Sequence, residues 1–261
     1  MSEGESNRSL PKETPPGKSR LDQLLVDRGL VETRSKAQAL IMAGLVFSGE
    51  RKLEKAGTQY RADIELEVRG QDHPWVSRGG LKLAHGLEHF GFKVSGAVCL
   101  DIGASTGGFT DVLLSKGAAK VYAVDVGQGQ LAWKLRQYDK VVVLEKTNAR
   151  YLDASQIPEP VDFLCCDASF IGLEIVLPAP MALAKAGAKL IALIKPQFEV
   201  GKAQVGKKGV VSDPALHQEV RDRIRSWLSA QIGWVVAGVT ESPVRGPEGN
   251  VEFLIAAIKE K

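Results

Sequence analysis

The sequence predicts an α/β protein: a Rossmann-like, seven-stranded, mostly parallel sheet preceded by a small α+β module. Three observations predict it. Apolar runs that read as strands alternate with helical patterns along residues 97–258, and the first five end in polar or charged residues. The first of these runs opens a strand, glycine-rich turn, helix sequence, Ala97-Val98-Cys99-Leu100 into Asp101–Thr110 and then Asp111-Val112-Leu113-Leu114. Upstream, residues 20–69 carry two short helical patterns and a few short strands, enough for an independent module.

In order, residues 1–19 are rich in Ser, Pro, Glu and Lys without periodicity and read as a disordered tail. Leu21, Leu24, Leu25 and Leu30 mark a short helix. Ser35-Lys36-Ala37-Gln38 reads as a capping box for a second helix that stops at Gly44. Leu45-Val46-Phe47 and Ile64–Val68 read as strands. Residues 70–80 read as a linker, followed by a helix whose stripe is Leu83, Leu87 and Phe90. Lys82 lies off that stripe, the ordinary position of a solvated lysine. His85 and His89 share a face but find no third ligand, so no metal site is expected.

After the glycine turn come the strands Lys120–Gly127, Val141–Leu144, Val161–Asp167 and Leu190–Pro196, with helices expected near 131–138, 172–186 and 213–232. Trp234–Val239 and Val251–Ile258 read as a closing hairpin. Residues 201–209 hold Lys202, Lys207 and Lys208 among three glycines, and read equally as a solvated linker or as a lid or phosphate clamp for RNA.

Composition excludes little. The 261 residues are 44% hydrophobic and 25% charged with net charge +3, so a nucleic-acid role rests on local clusters. Cys99, Cys165 and Cys166 lie in apolar runs without metal spacing and read as buried free thiols in a reducing, cytoplasmic compartment. No apolar run reaches membrane-spanning length, and no signal peptide is evident.

The turn itself narrows the ligand. Its glycines fall at Gly103, Gly107 and Gly108, and Asp101 stands where a dinucleotide fingerprint has its first glycine. An acid at a strand end repels a pyrophosphate and suits an amine or sulfonium, so S-adenosylmethionine is favoured over NAD. Asp101, Gly103, Ala104, Ser105, Thr106, Gly107, Gly108 and Phe109 are the expected cofactor turn. The acid Asp125, with Val126, is placed for the ribose hydroxyls, Asn148 and Ala149 for the adenine, and Asp167 for the side facing the reaction.

Two resemblances sharpen this reading. Residues 20–69, with R-L-D-x-L-L-V-x-R-G-L and Thr33-Arg34-Ser35-Lys36-Ala37-Gln38, resemble the S4 RNA-binding domain. That resemblance implies RNA contact through Arg20, Arg28, Arg34 and Lys36. The turn at Phe47-Ser48-Gly49-Glu50 departs from the usual Val-Asn-Gly. Residues 20–258 as a whole resemble the TlyA (hemolysin A) family, whose catalytic part, here 81–261, is similar to the FtsJ-type ribose 2′-O-methyltransferases. The matching motifs are S-R-G-G-x-K-L, D-I-G-A-S-T-G-G-F-T-D, V-D-V-G, C-D-A-S-F-I, I-K-P-Q-F-E and S-P-x-x-G-x-x-G-N-x-E-F. The resemblance implies a Lys-Asp-Lys-Glu tetrad around the acceptor hydroxyl, carried here by Lys82, Asp167, Lys195 and Glu252. It also implies ribosomal RNA or ribosomal subunits as partner, with cytidine 2′-O-methylation of large- and sometimes small-subunit RNA.

The chemistry fits such a tetrad. An activated methyl donor needs mainly positioning. The weakly acidic hydroxyl needs a base or orienter, and Lys195 is the candidate, tuned and aimed by Lys82 and Asp167. Rival readings are a cytolysin, an RNA-binding regulator with a decayed methylase fold, and a dehydrogenase. The first lacks a long amphipathic or apolar segment or sustained hairpin alternation. The second is opposed by intact glycines and tetrad, and the third by Asp101.

Overall fold

The computed structural model describes residues 17–28, 30–31, 33–69, 73–206, 209–246 and 249–260. The chain divides into two compact units, Met1–Asp72 and His73–Lys261.

The first unit contains β1 (Lys18–Arg20), α1 (Leu21–Asp27), α2 (Arg34–Met42), β2 (Val46–Ser48), β3 (Arg51–Lys52), β4 (Gln59–Arg61) and β5 (Glu67–Val68). Leu21 and Leu25 of α1 and Ala37 and Ile41 of α2 meet Val46 and Leu53 in its core, as i, i+4 spacing on two facing helices requires. The tail expected through Ser19 does not hold for Lys18 and Ser19, which pair with Arg61 and Tyr60 in an antiparallel ladder. Residues 1–16 lie outside the described residues. Helix α2 begins at Arg34 and not at the expected capping box: the side chain of Thr33 accepts the Lys36 N–H at 3.2 Å, which makes Thr33 the cap.

The second unit begins with α3 (Gly79–His89), β6 (Val98–Ile102), α4 (Gly108–Ser115), β7 (Lys120–Val124), α5 (Trp133–Arg136), β8 (Val141–Leu144) and β9 (Val161–Cys166). It continues with α6 (Leu173–Val176), α7 (Pro178–Ala182), β10 (Ala184–Ile194), α8 (Pro196–Glu199), α9 (Pro214–Ser229), β11 (Trp234–Glu241) and β12 (Phe253–Lys259). The single helix expected over 172–186 is instead two short ones. Pro178 starts the second, where its missing N–H is tolerated, and β10 already begins at Ala184.

The sheet has seven strands in the order β11-β12-β10-β9-β6-β7-β8. Pairings from β10 through β8 are parallel, and β12 is antiparallel to both neighbours. Side-chain alternation along each strand divides the core. Cys99, Val121, Phe163, Cys165, Ile191 and Leu193 pack with Leu83 and Leu87 of α3 and with Phe109, Val112 and Leu113 of α4. Leu100, Ile102, Val124, Leu164, Cys166, Leu190 and Ile194 pack with Leu173, Met181, Val220, Ile224 and Leu228 on the other face. Strand order reverses at β6, which lies between β9 and β7, so the crevice beyond the carboxyl ends of these strands is the place for a ligand.

Two features carry the arrangement into the site. Ile194 pairs with Phe253, so the antiparallel β12 enters the sheet where β10 leaves it and sets Glu252 beside Lys195. Asp213 caps α9 by accepting the Ala215 N–H at 2.8 Å, with Pro214 in the first turn as the sequence predicts.

Candidate active site

Two cavities open at the carboxyl ends of the strands. The larger, about 900 Å³, is lined by Gly103, Ser105, Asp125, Val126, Asn148, Ala149, Asp167 and Phe170, among others. The smaller, about 400 Å³, is lined by Ser77, Arg78, Gly79, Lys82, Thr106, Gly108, Phe109, Lys195 and Arg245. Gly103, Ser105, Asp167 and Ser169 line both. The expected cofactor residues and the expected reacting residues thus meet along one shared wall.

The glycine turn makes that wall possible. Gly103 has φ 80°, and a Cβ there would stand 2.9 Å from the Ala168 backbone. Any side chain would force β6 and the 167–168 segment apart. Gly107 has φ 94° and starts α4, but it packs toward Leu131 and Leu135 and lines neither cavity. Asp125 accepts the Ser105 N–H on Oδ2 at 2.8 Å and the Gly127 N–H on Oδ1 at 2.7 Å. Its position is thereby fixed, and each oxygen keeps acceptor capacity for a diol. Asn148 accepts the Arg150 N–H at 3.1 Å and caps a single 3-10 turn, Ala149–Tyr151, on the cavity wall.

Asp101 is where sequence reasoning goes wrong. It is fully buried and lines neither cavity. Strand alternation puts it on the side of Cys99, under α4, where its Oδ2 accepts the Thr110 hydroxyl at 2.7 Å. It supports the turn from beneath and faces neither cavity. Burial pushes its carboxyl up to about 7; the Thr110 hydrogen bond works against that shift and the Asp167 charge adds to it. The raised value fixes the sign of a pH effect. The unfolded chain ionises Asp101 near 3.8 and the folded chain near 7, so its contribution to stability is fully present below 3.8 and lost as pH rises through about 7. Asp101→Asn should therefore be the more stable protein at pH 8, by up to about 4 kcal/mol, with the gap closing toward pH 4. Urea melts at the two pH values check this.

The tetrad assembles from four separate elements. Lys82 on α3 is 7% exposed, Lys195 at the end of β10 is 6% exposed, and Glu252 ahead of β12 is 1% exposed. Lys195 Nζ is 2.6 Å from Asp167 Oδ1 and donates to the Ser169 hydroxyl at 2.9 Å and the Asp167 carbonyl at 3.0 Å. Lys82 Nζ donates to Glu252 Oε2 at 2.6 Å and stands 3.7 Å from Asp167 Oδ2. Asp167 therefore lies between the two ammoniums, with one oxygen toward each. Gln197 donates to the other oxygen of Glu252 at 3.4 Å. A solvated Lys82, the ordinary reading of an off-stripe lysine, is corrected by this partner: Glu252 is 170 residues away and leaves no local trace in the sequence.

Several site features were not singled out from sequence. Ser169 holds Lys195, and the S in C-D-A-S was a visible signal for it. Phe170 is 89% exposed, has φ 65° and contacts Phe198 with ring centroids 4.9 Å apart. Arg78 and Arg245 are exposed at the smaller cavity. Lys202 lies in a short 3-10 turn, while Lys207 and Lys208 fall outside the described residues.

In the first unit, Asp22 is fully buried and joins the basic residues. Arg20 donates to it through Nε at 3.0 Å and Nη2 at 2.9 Å, Arg34 at 3.1 Å, and Gln38 at 2.9 Å. Arg20, and to a smaller degree Gln38 and Arg34, hold its carboxyl well below the usual carboxylate range. Arg28 donates to the carbonyls of Ala62 and Ile64, so part of its guanidinium is structural. Lys36 is half-buried on α2.

Burial raises the thiols of Cys99 and Cys166, the latter to about 12, as befits inert core residues. Among the described residues no group of three or more His, Cys, Asp or Glu could hold a metal ion, and no helix is long and apolar enough to cross a membrane.

Comparison with known proteins places both units in known families. Residues 75–259 match the FtsJ-like methyltransferase family and residues 19–63 the S4 domain. YqxC of Bacillus subtilis, named as an rRNA methyltransferase, is 48% identical over 91% of this chain and 85% of its own. The 16S/23S rRNA (cytidine-2′-O)-methyltransferase TlyA of Mycobacterium tuberculosis is 48% identical over 91% of this chain and 89% of its own. The Streptococcus thermophilus protein solved under the hemolysin name superposes with a TM-score of 0.74 at 41% identity, covering 95% of this chain and 90% of that one.

Proposed function

We propose a function from this premise: the chain belongs to the FtsJ-like methyltransferase family, in its TlyA branch, and carries an S4 domain. It is an S-adenosylmethionine-dependent methyltransferase whose acceptor is a ribose 2′-hydroxyl of ribosomal RNA, that of a cytidine in the large subunit. The observation that carries the reading is the pair of buried ammoniums of Lys82 and Lys195 around Asp167, on the wall that two cavities share.

The residues present fit the cofactor. Gly103 admits no side chain against Ala168, Asp125 keeps acceptor sites free for a ribose diol, and Asn148 and Ala149 border the same cavity. When bound, the cofactor supplies an electrophilic methyl group on a sulfonium. The chain does the rest. Lys195 is the proposed base or principal orienter of the hydroxyl, held by Asp167 and Ser169 within hydrogen-bond reach of the smaller cavity. Asp167 and Glu252 fix the two amines, so little reorganisation remains when the acceptor enters. Arg78 and Arg245 add positive charge beside the acceptor cavity, where an RNA backbone brings phosphates.

Primer extension at low dNTP, on ribosomes from cells with and without the gene, tests the substrate. A stop that vanishes with the gene is the expected result; no change at any ribose overturns the acceptor assignment.

RNA contact by the first unit makes a second prediction. Asp22 aligns Arg20 and Arg34 as one paired cation face. Asp22→Asn should weaken RNA binding about tenfold, roughly 1.4 kcal/mol, while leaving cofactor affinity unchanged. Filter binding and calorimetry measure the two separately.

A further inference from the structure

We propose that Glu199 is a positioning residue for Lys195. It clamps the 168–173 wall of the cofactor cavity to α8, the single turn that follows the lysine. The proposal rests on the assignment of Lys195 made above. Glu199 lines neither cavity, so it touches no substrate and acts through its neighbours.

Its side chain is 3% exposed, yet both oxygens are occupied. Oε1 accepts the Leu173 N–H at 2.8 Å, and Oε2 accepts from Arg223 at 2.9 Å. Leu173 is the first residue of α6, whose N–H has no acceptor within its own helix. Arg223 on α9 also donates to the Glu199 carbonyl at 2.9 Å and to Glu174 at 3.1 Å. A Cβ on Gly172 would lie 3.1 Å from Glu199 Oε2, so the absence of a side chain there lets the carboxylate reach the wall. Burial holds the carboxyl above its ordinary range; the Leu173 N–H and Arg223 work against that shift.

The clamp is one of two ties between the same segments. At the other end, Lys195 donates to the Ser169 hydroxyl and the Asp167 carbonyl. Between them, Phe170 and Phe198 are in ring contact. Residues 167–173 and 195–199 thus form a closed loop of contacts that fixes the backbone of Phe170 at a φ of 65° while leaving most of its ring in solvent. A bulky residue stays in the left-handed region only when its surroundings over-determine it. Opening the Glu199 end lets Phe170 relax and moves Ser169 away from Lys195. The same wall borders the cofactor cavity through Ala168, Ser169, Phe170, Ile171 and Gly172, so cofactor affinity and lysine placement change together.

The test compares Glu199→Ala and Glu199→Gln in the full chain. It measures methyl transfer to ribosomal substrate, cofactor affinity by calorimetry, and hydrogen exchange at the Leu173 amide. Glu199→Ala should lower kcat about 10- to 100-fold at nearly unchanged KM for RNA, as expected for a misplacement on the order of 1 Å. It should also weaken cofactor binding several-fold and speed exchange at Leu173. Glu199→Gln keeps an oxygen for the Leu173 N–H and should recover most of each loss. A Glu199→Ala protein with wild-type kcat and wild-type cofactor affinity, whatever its melting temperature, overturns the clamp. So does a Gln variant as impaired as the Ala variant, which would transfer the role to the charge pair with Arg223. If the wild-type chain methylates no ribose, the acceptor assignment fails, while calorimetry and exchange still decide whether Glu199 holds the wall.

Discussion

Lys195→Ala should abolish methyl transfer, by about 10³- to 10⁴-fold in kcat, while leaving S-adenosylmethionine binding within a few-fold of the parent. Much of the cofactor cavity is built from the β6 and β7 ends and the 147–150 turn, which the lysine amine does not touch; it bonds only the 167–169 part of the wall. The loss falls on the acceptor side, where Nζ stands with Asp167 and Ser169. Calorimetry for the cofactor and tritium transfer for the chemistry separate the two. Wild-type turnover in the variant would sink the assignment. Lys195→Arg keeps the charge, loses any accessible neutral form, and should be nearly as inactive.

Removal of Lys82 should have the largest effect on stability. Its partner Glu252 has a fully buried side chain, and among the described residues only Gln197, at 3.4 Å, would remain to hydrogen-bond the carboxylate. Breaking a buried pair from one side leaves an uncompensated charge, so Lys82→Ala should cost about 3–5 kcal/mol. The double variant Lys82→Met/Glu252→Leu removes both charges and should regain most of that loss. It should stay inactive, because Asp167 then faces a single ammonium. Denaturant melts with activity assays check both parts. A stable, active Lys82→Ala protein would show that the pair is incidental.

The two halves of this site differ in how far they were legible in the sequence. The lining of the larger cavity was legible because its residues are local: acids and glycines at strand ends, next to the turns they shape. Asp125, Asn148 and Gly103 needed only the strand–turn pattern. Asp101 was misassigned although the strand carries the clue. It shares its parity with Cys99, whose side chain is in the core under α3 and α4, and a two-residue period sends both the same way. The acceptor side was not locally legible. Lys82 reads as solvated on its own helix, and only the distant Glu252 explains its burial, so motif resemblance alone united the tetrad. The helix expected over 172–186 failed for a simpler reason: Pro178 breaks it, and the chain turns into β10 sooner than the apolar pattern suggests. In the first unit, helix positions were readable, but the role of Asp22 was not, because a buried acid in a short helix looks like any first-turn aspartate.

The antiparallel entry of β12 gives the enzyme a dependence on its own completeness. A polypeptide synthesised only as far as α9 already contains the glycine turn, Asp125, Asp167 and Lys195. It lacks the strand that brings Glu252 to Lys82. Such a nascent chain can shape much of the donor side, but it leaves Lys82 without its closer anionic partner and the acceptor side unfinished. On the proposed assignment, competence for transfer therefore arrives only with β12, the strand that completes the acceptor side.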